Sequence, residues 1–544
     1  MTESTNNRPS LINPILRPFA RKSVEQIQAE HEHGELKRTL GPISLIFFGI
    51  GTIIGTGIFV LTGRAAAQFA GPGIMISFII TGILCALVAL CYAELASTIP
   101  VSGSAYSYSY ASIGEFGAWC MGVLLLLEYG LAASTVAVGW SGYVVSFLHD
   151  FGINIPAVLT AAPGVEVQDL VTGAMVTGQF NLPAIIAIAA VTMLLIVGVT
   201  ESATVNSIVV VIKVSVVIAF IAIGWSYVDT KLWQPLVPAQ TCAPEAPGCA
   251  LLPPDADLWT QIKQAVIDVI TGNNTARYGI GGLITGAATI FFAYIGFEAV
   301  STAGAESKRP SRDMPIGILG SLAICTVLYI LTAGVLVGIV PYADLNDPAP
   351  IAKAVNQIGL PWFAKLVKIG AIAGLSSVML ILVYGQTRIF YTMARDGLLP
   401  GAFAVVNKRT KTPWANTILV GLIAAACAGF FSLGTLSNVT NVGTLLAFAI
   451  VCLTVIYLRL TKPNLARPFR TPFFPVVPIL GAAMCLFLLA SLMSNIATRD
   501  FFVWYLGAGV IIYFLYGLWF TKLGRGIAVE GHEAAPQELP HKLD

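Results

Sequence analysis

The sequence predicts an all-α polytopic membrane fold of twelve spanning helices. Three observations carry this expectation. Of 544 residues, 56% are hydrophobic and only 11% charged, whereas soluble domains carry about 25% charged residues. The mean hydropathy is +0.80 and is concentrated in apolar runs of about 20 residues, the length that crosses a bilayer core as a helix. The basic residues gather in alternate connecting segments, as they do in multi-span proteins. A net charge of +2 gives no basis for a nucleic-acid partner; the expected surroundings are lipid.

The first 40 residues are polar and charged. The apolar run after them is longer than a signal-peptide core and has no cleavage site, so it reads as an uncleaved first span. Spans are expected near 43–65, 72–98, 114–147, 182–200, 204–227, 281–304, 316–340, 364–394, 415–431, 440–460, 474–495 and 501–521. This divides the chain into a terminal segment (1–42), five spans (43–227), a long loop (228–280), five more spans (281–460), a final pair (461–521) and a polar tail (522–544). Residues 17–38 fit a short surface helix, and the tail from Gly524 reads as disordered. If the N-terminus is cytoplasmic, twenty of the thirty Lys and Arg residues fall on the cytoplasmic side and eight outside. The remaining two, Lys213 and Arg388, lie within spans. The bias places both termini in the cytoplasm.

Seven of the nine cysteines sit in apolar runs and read as small packing residues. Cys242 and Cys249 flank Ala243-Pro-Glu-Ala-Pro-Gly248 in the long outer loop. A disulfide between them is chemically permitted in an oxidising compartment, and two free thiols remain an equal alternative.

Span 1 holds Gly49, Gly51, Gly55 and Gly57 within nine residues. Each glycine costs a helix interior roughly 1 kcal/mol relative to alanine. In a membrane, an unwound turn also needs protein or water around its freed amides and carbonyls. The cluster therefore predicts a broken helix lining a cavity, whose freed amides suit a carboxylate. A helix-packing GxxxG motif is the competing reading. A dinucleotide loop has a different spacing and follows a strand, and no Gly-Lys-Ser/Thr phosphate loop is present. Span 6 carries Phe291, Phe292, Gly296 and Glu298 at the corresponding place. Paired interruptions in two halves of a membrane protein point to a transporter site at the bilayer midplane. Each half would contain five spans, and so the halves would be oppositely oriented.

Charges inside spans are functional candidates by default. Lys213 sits mid-span among Val209, Val210, Val211, Ile212 and Val214, too deep to reach water easily. It suits proton coupling, with a permanently paired structural lysine as the alternative. Glu128 lies in span 3 as a proton carrier, a substrate contact or a packed protonated acid. Glu94 and Glu298 lie nearer span ends and suit gating networks in which Arg388 would pair with one of them. All five histidines lie outside the spans, so no metal cluster, cofactor or catalytic site is expected.

With these motifs in hand, the chain resembles the amino acid–polyamine–organocation superfamily, and most of all its bacterial cationic amino acid transporter subfamily. The match rests on Gly49–Gly63, Tyr92–Tyr106, Phe291–Thr302 and Tyr384–Pro400, within an overall resemblance over about 35–522. The resemblance implies a five-plus-five inverted repeat with helices 1 and 6 broken. It implies that a substrate carboxylate meets amides around Ile53, Ile54, Gly55, Thr56 and Gly57, and that the α-amino group meets carbonyls around Phe292, Ala293 and Ile295. Lys213 would replace the sodium ion of other relatives, and Glu128 occupies the subfamily's acidic position in helix 3. Glu298 stands where the family usually has Asp, and the 227–280 loop is longer than usual. A side-chain pocket near Ser376, Ser377 and Met379, together with Ala293 and Ile295, would be apolar. The expectation is an importer of small or medium neutral L-amino acids by proton symport, in a bacterial inner membrane. Cationic substrates and ion-independent exchange are the alternatives, and an accessory subunit is left open.

Overall fold

The computed structural model describes residues 17–24, 26–27, 38–101, 103–198, 203–242, 253, 256–274, 276–407, 410, 412–523 and 525. The described residues are predominantly helical. The helices are α1 (Pro42–Ile53), α2 (Ile74–Thr98), α3 (Ser104–Ser112), α4 (Glu115–His149), α5 (Leu182–Val197), α6 (Ala203–Gly224), α7 (Leu258–Thr271), α8 (Gly279–Ile290), α9 (Pro310–Ile339), α10 (Pro350–Gln357), α11 (Pro361–Arg395), α12 (Trp414–Phe430), α13 (Leu433–Thr461), α14 (Val476–Met493) and α15 (Ile496–Phe520). Among the described residues, nine helical stretches are long and apolar enough to cross a membrane; α1, α5 and α12 are apolar but shorter. The protein is thus a multi-pass, all-helical membrane protein.

Local chemistry sets the helix ends. The side chain of Asn181 accepts from the Ala184 amide ahead of α5, and Ser432 and Asn495 do the same for α13 and α15. Gly198 closes α5 in the left-handed conformation. Two small antiparallel ladders, Glu166–Gln168 with Met175–Thr177 and Thr241–Cys242 with Ala276–Arg277, brace the long loops. Alternating apolar residues did not announce them, because loop ladders this short bury almost nothing.

Packing gathers the site. Helix α9 lies along α2 and α1, while α11 lies along the second half of α4 and along α6. Helix α4 contains a π-turn from Leu126 to Leu131, an irregularity that often marks functional sites, and Glu128 stands on it. Of the expected 17–38 surface helix, the described residues show a short 3₁₀ turn at Arg17–Phe19 and helical conformation at Val24, Gln26 and Ile27. Residues 28–37 and the tail beyond Arg525 lie outside the described residues. So does Cys249, and with it the Cys242–Cys249 pairing.

Candidate substrate site at two broken helices

Helix α1 stops at Ile53. Ile54 turns extended (φ −74°, ψ 97°), and helical structure resumes at Gly57 and runs to Ala70. Every residue from Gly49 to Val60 is buried. The Phe59 amide donates back to the Gly55 carbonyl at 3.3 Å, so the amides of Gly55, Thr56, Gly57 and Ile58 open the second half without intrahelical acceptors. Three carbonyls freed on the other side are claimed by two side chains. Lys213 Nζ donates to Gly51 O at 2.5 Å and Ile54 O at 3.0 Å. Tyr329 Oη donates to Ile53 O at 2.8 Å.

Helix α8 ends at Ile290, continues as a tight 3₁₀ turn over Phe291–Tyr294, and breaks at Ile295–Phe297 before a second 3₁₀ stretch, Glu298–Glu306. Gly296 has φ +122°, a region that only glycine enters freely. Its carbonyl accepts from Thr52 Oγ1 at 2.7 Å, and its amide donates to Glu298 Oε2 at 2.8 Å. The breaks meet directly, because a Cβ on Gly57 would overlap the backbone of Ala293. Tyr92, Phe291, Phe297 and Phe448 form an edge-to-face aromatic wall beside the second break.

Several buried polar atoms around this centre have no hydrogen-bond partner among the described residues: both carboxyl oxygens of Glu128, both amide atoms of Gln386, and the hydroxyls of Thr56 and Tyr92. The Glu128 carboxyl faces that of Glu298. Unsatisfied buried polar groups are costly, and so many near two helix breaks suit a site that takes a polar ligand.

The remaining sequence candidates are dispersed. Ser376 Oγ accepts from the Trp140 indole at 2.9 Å, Ser377 lies 3.5 Å from Asn206 Oδ1, and Met379 is buried. The α11 side chain against Gly55 is that of Val378. Glu94 is fixed at the far end of α2 by Arg459 (2.9 and 2.6 Å), the Thr471 amide (2.7 Å) and Arg467 (3.5 Å). Arg388 pairs with neither acid. It is exposed, with its guanidinium over the Tyr384 ring at 4.4 Å. The expected pairing fails because Arg459, at the end of α13, reaches Glu94 from the neighbouring helix. Tyr329, Thr52 and Arg459 are the contributors that sequence reading missed. A tyrosine or threonine in a span carries no distinguishing signal, but an arginine closing span 10 could have been set against Glu94.

Broken helices lined by unpartnered polar groups inside a membrane bundle are features of a transporter site. A sequence model of the amino acid permease family matches residues 40–516, and the chain belongs to that family, within the amino acid–polyamine–organocation superfamily. It is similar to the methylthioribose transporter of Bacillus subtilis (strain 168), at 43% identity over 92% of this chain and 97% of that protein. It is 41% identical to the branched-chain amino acid permease BcaP of the same organism, over 93% and 99% of the two chains. Cationic amino acid transporter 4, vacuolar, of Arabidopsis thaliana is 35% identical over 83% of this chain and 68% of its own length.

Proposed function

We propose that this protein is a secondary active transporter that imports small or medium neutral L-amino acids together with protons by alternating access. In this reading twelve helices cross a bacterial inner membrane, both termini are cytoplasmic, and spans 1–5 and 6–10 form an inverted repeat with spans 11 and 12 outside it. The observation that carries the reading is the contact of Lys213 with the Gly51 and Ile54 carbonyls. A membrane-buried ammonium on the unwound turn is a removable charge at the place where helix 1 must bend. Protonation would hold the two halves of helix 1 in one geometry, and deprotonation would release them. The substrate carboxylate would take the amides of residues 55–58, and its α-amino group the carbonyls of Phe292, Ala293 and Ile295. Glu128, whose carboxyl faces that of Glu298, would contact the α-amino group or the proton. Similarity to a branched-chain permease supports an apolar side-chain pocket.

Cationic substrates are the second reading, favoured by the unpartnered Glu128 carboxyl and by the cationic transporters among the relatives. Uptake of labelled L-amino acids into sodium-free proteoliposomes, acid outside, separates these readings. Accumulation of leucine-sized neutral substrates that a protonophore collapses supports the proposal. Accumulation of arginine or lysine alone supports the second reading. Uptake that occurs only after the lumen is preloaded with amino acid identifies an exchanger and rejects proton coupling.

A further inference from the structure

The long loop between α6 and α8 contains a helix whose surface divides into three sectors. At about 100° per residue, Ala265 and Val269 fall on one face of α7, and both are buried against α8 and α14. Thr260, Gln264, Asp268 and Thr271 form a polar face. Between them lies a second apolar face, made of Trp259 (62% exposed), Ile267 (51%) and Ile270 (71%). Helices that bury one apolar face and show water a polar one have no need of this third sector.

The level of α7 in the bundle explains it. Just after the helix, Asn274 Nδ2 donates to Ser491 Oγ and Thr285 Oγ1, both at 3.0 Å. Ser491 is in the last turn of α14. An 18-residue helix such as α14 is about 27 Å long, close to the thickness of the hydrocarbon layer, so its ends lie at the membrane boundary. Its outward surface, with Ile479, Leu480 and Leu486 exposed, belongs to the lipid-facing belt. The third sector of α7 is apolar and exposed as that belt is, at the level of the end of α14. Lys263 stands on the same side, its ammonium 5.2 Å from the centre of the Trp259 ring. This is the arrangement of an interfacial aromatic with a lysine that reaches up to phosphate.

We propose that α7 is an interfacial anchor. It lies along the bilayer surface at the end remote from Glu94, with Trp259, Ile267 and Ile270 sunk into the headgroup–acyl boundary, Lys263 on lipid phosphate and the polar face in water. The loop then returns to the membrane midway and fixes the position of the first turn of α8, the helix that carries the second break.

The test uses the full chain in phosphatidylcholine bilayers. Trp259 is one of nine tryptophans, so its emission is read as the difference between the wild type and Trp259→Phe. Dibromination at acyl carbons 6 and 7 is expected to quench that share by more than about half. Dibromination at carbons 11 and 12 should quench it less, and aqueous acrylamide should have little effect. A tryptophan returned to the same sector by Ile270→Trp in the Trp259→Phe background should behave alike, and one placed on the polar face by Thr271→Trp should be quenched by acrylamide. The proposal is overturned if Trp259 and Ile270→Trp respond to acrylamide and not to bromine. It is equally overturned if neither quencher reaches them, which would mean that a second copy or another protein covers the face.

Discussion

The two helix breaks are built from the same backbone defect and are stabilised in different ways. At the first, the freed carbonyls of Gly51 and Ile54 are held by a buried ammonium that comes from another span, α6. At the second, the carbonyl and amide of Gly296 are held by a neutral hydroxyl and by the carboxyl group two residues along the same chain. Charge-assisted hydrogen bonds are roughly twice as strong as neutral ones, but Lys213 can lose its charge and Thr52 cannot. The first break is therefore held by one ionisable side chain from another span, whereas the second is held by a hydroxyl from α1 and by an ionisable carboxyl of its own segment. In the proposed reading the first break is the proton-sensitive hinge and the second the firmer bend.

The largest effect should come from removing the charge at the first break. Lys213→Met leaves two buried carbonyls short of a donor, at about 1–3 kcal/mol each. Proton-driven accumulation in proteoliposomes should fall roughly 100-fold or more. Full accumulation by this variant would end the comparison, since the first break would then be indifferent to the charge of Lys213. Next comes the contact between the breaks. Gly57→Ala forces a methyl into the Ala293 backbone. Overpacking costs about 1–3 kcal/mol, so initial uptake should drop about 10-fold or more at unchanged protein yield. A near-wild-type rate would mean that the two breaks separate during most of the cycle.

Much of this was legible in the sequence, and the limits are physical. Four glycines in nine residues exposed the first break because glycine has a known helix cost, and Lys213 stood out because a buried ammonium is expensive. The second break was harder to see: one glycine with an adjacent acid gave it away, but the Gly296 clip to Thr52 spans the two halves of the chain and leaves no local trace. Arg388 misled for the opposite reason. It is a charge within a predicted span, yet the helix turns it outward over Tyr384, while the partner of Glu94 arrives from α13. Periodicity finds faces and spans. It does not reveal which neighbouring helix a long side chain reaches.

The comparison also predicts a moderate effect at the second break. In Glu298→Gln the side-chain carbonyl still accepts from the Gly296 amide, and only the charge assistance is lost, at about 1 kcal/mol. Uptake should fall about fivefold and remain sensitive to a protonophore. A loss equal to that of Lys213→Met would show that the second break is charge-dependent as well, and would make the facing Glu128 and Glu298 carboxyls the coupling site.

The smallest effect should come from the neutral partner at the first break. Tyr329→Phe removes the hydroxyl from the Ile53 carbonyl and leaves both Lys213 contacts and the apolar packing of the ring in place. The loss of one neutral hydrogen bond is about 0.5–1 kcal/mol, so uptake should decline two- to fivefold. The informative quantity is the dependence on the proton gradient rather than the rate. If Lys213 alone makes the first break charge-dependent, the ratio of uptake with and without a gradient should be that of the wild type even as both rates fall. A change in that ratio would mean that Tyr329 and Lys213 hold the turn as one unit, and the first break would then have to be treated as a coupled network instead of a single removable charge.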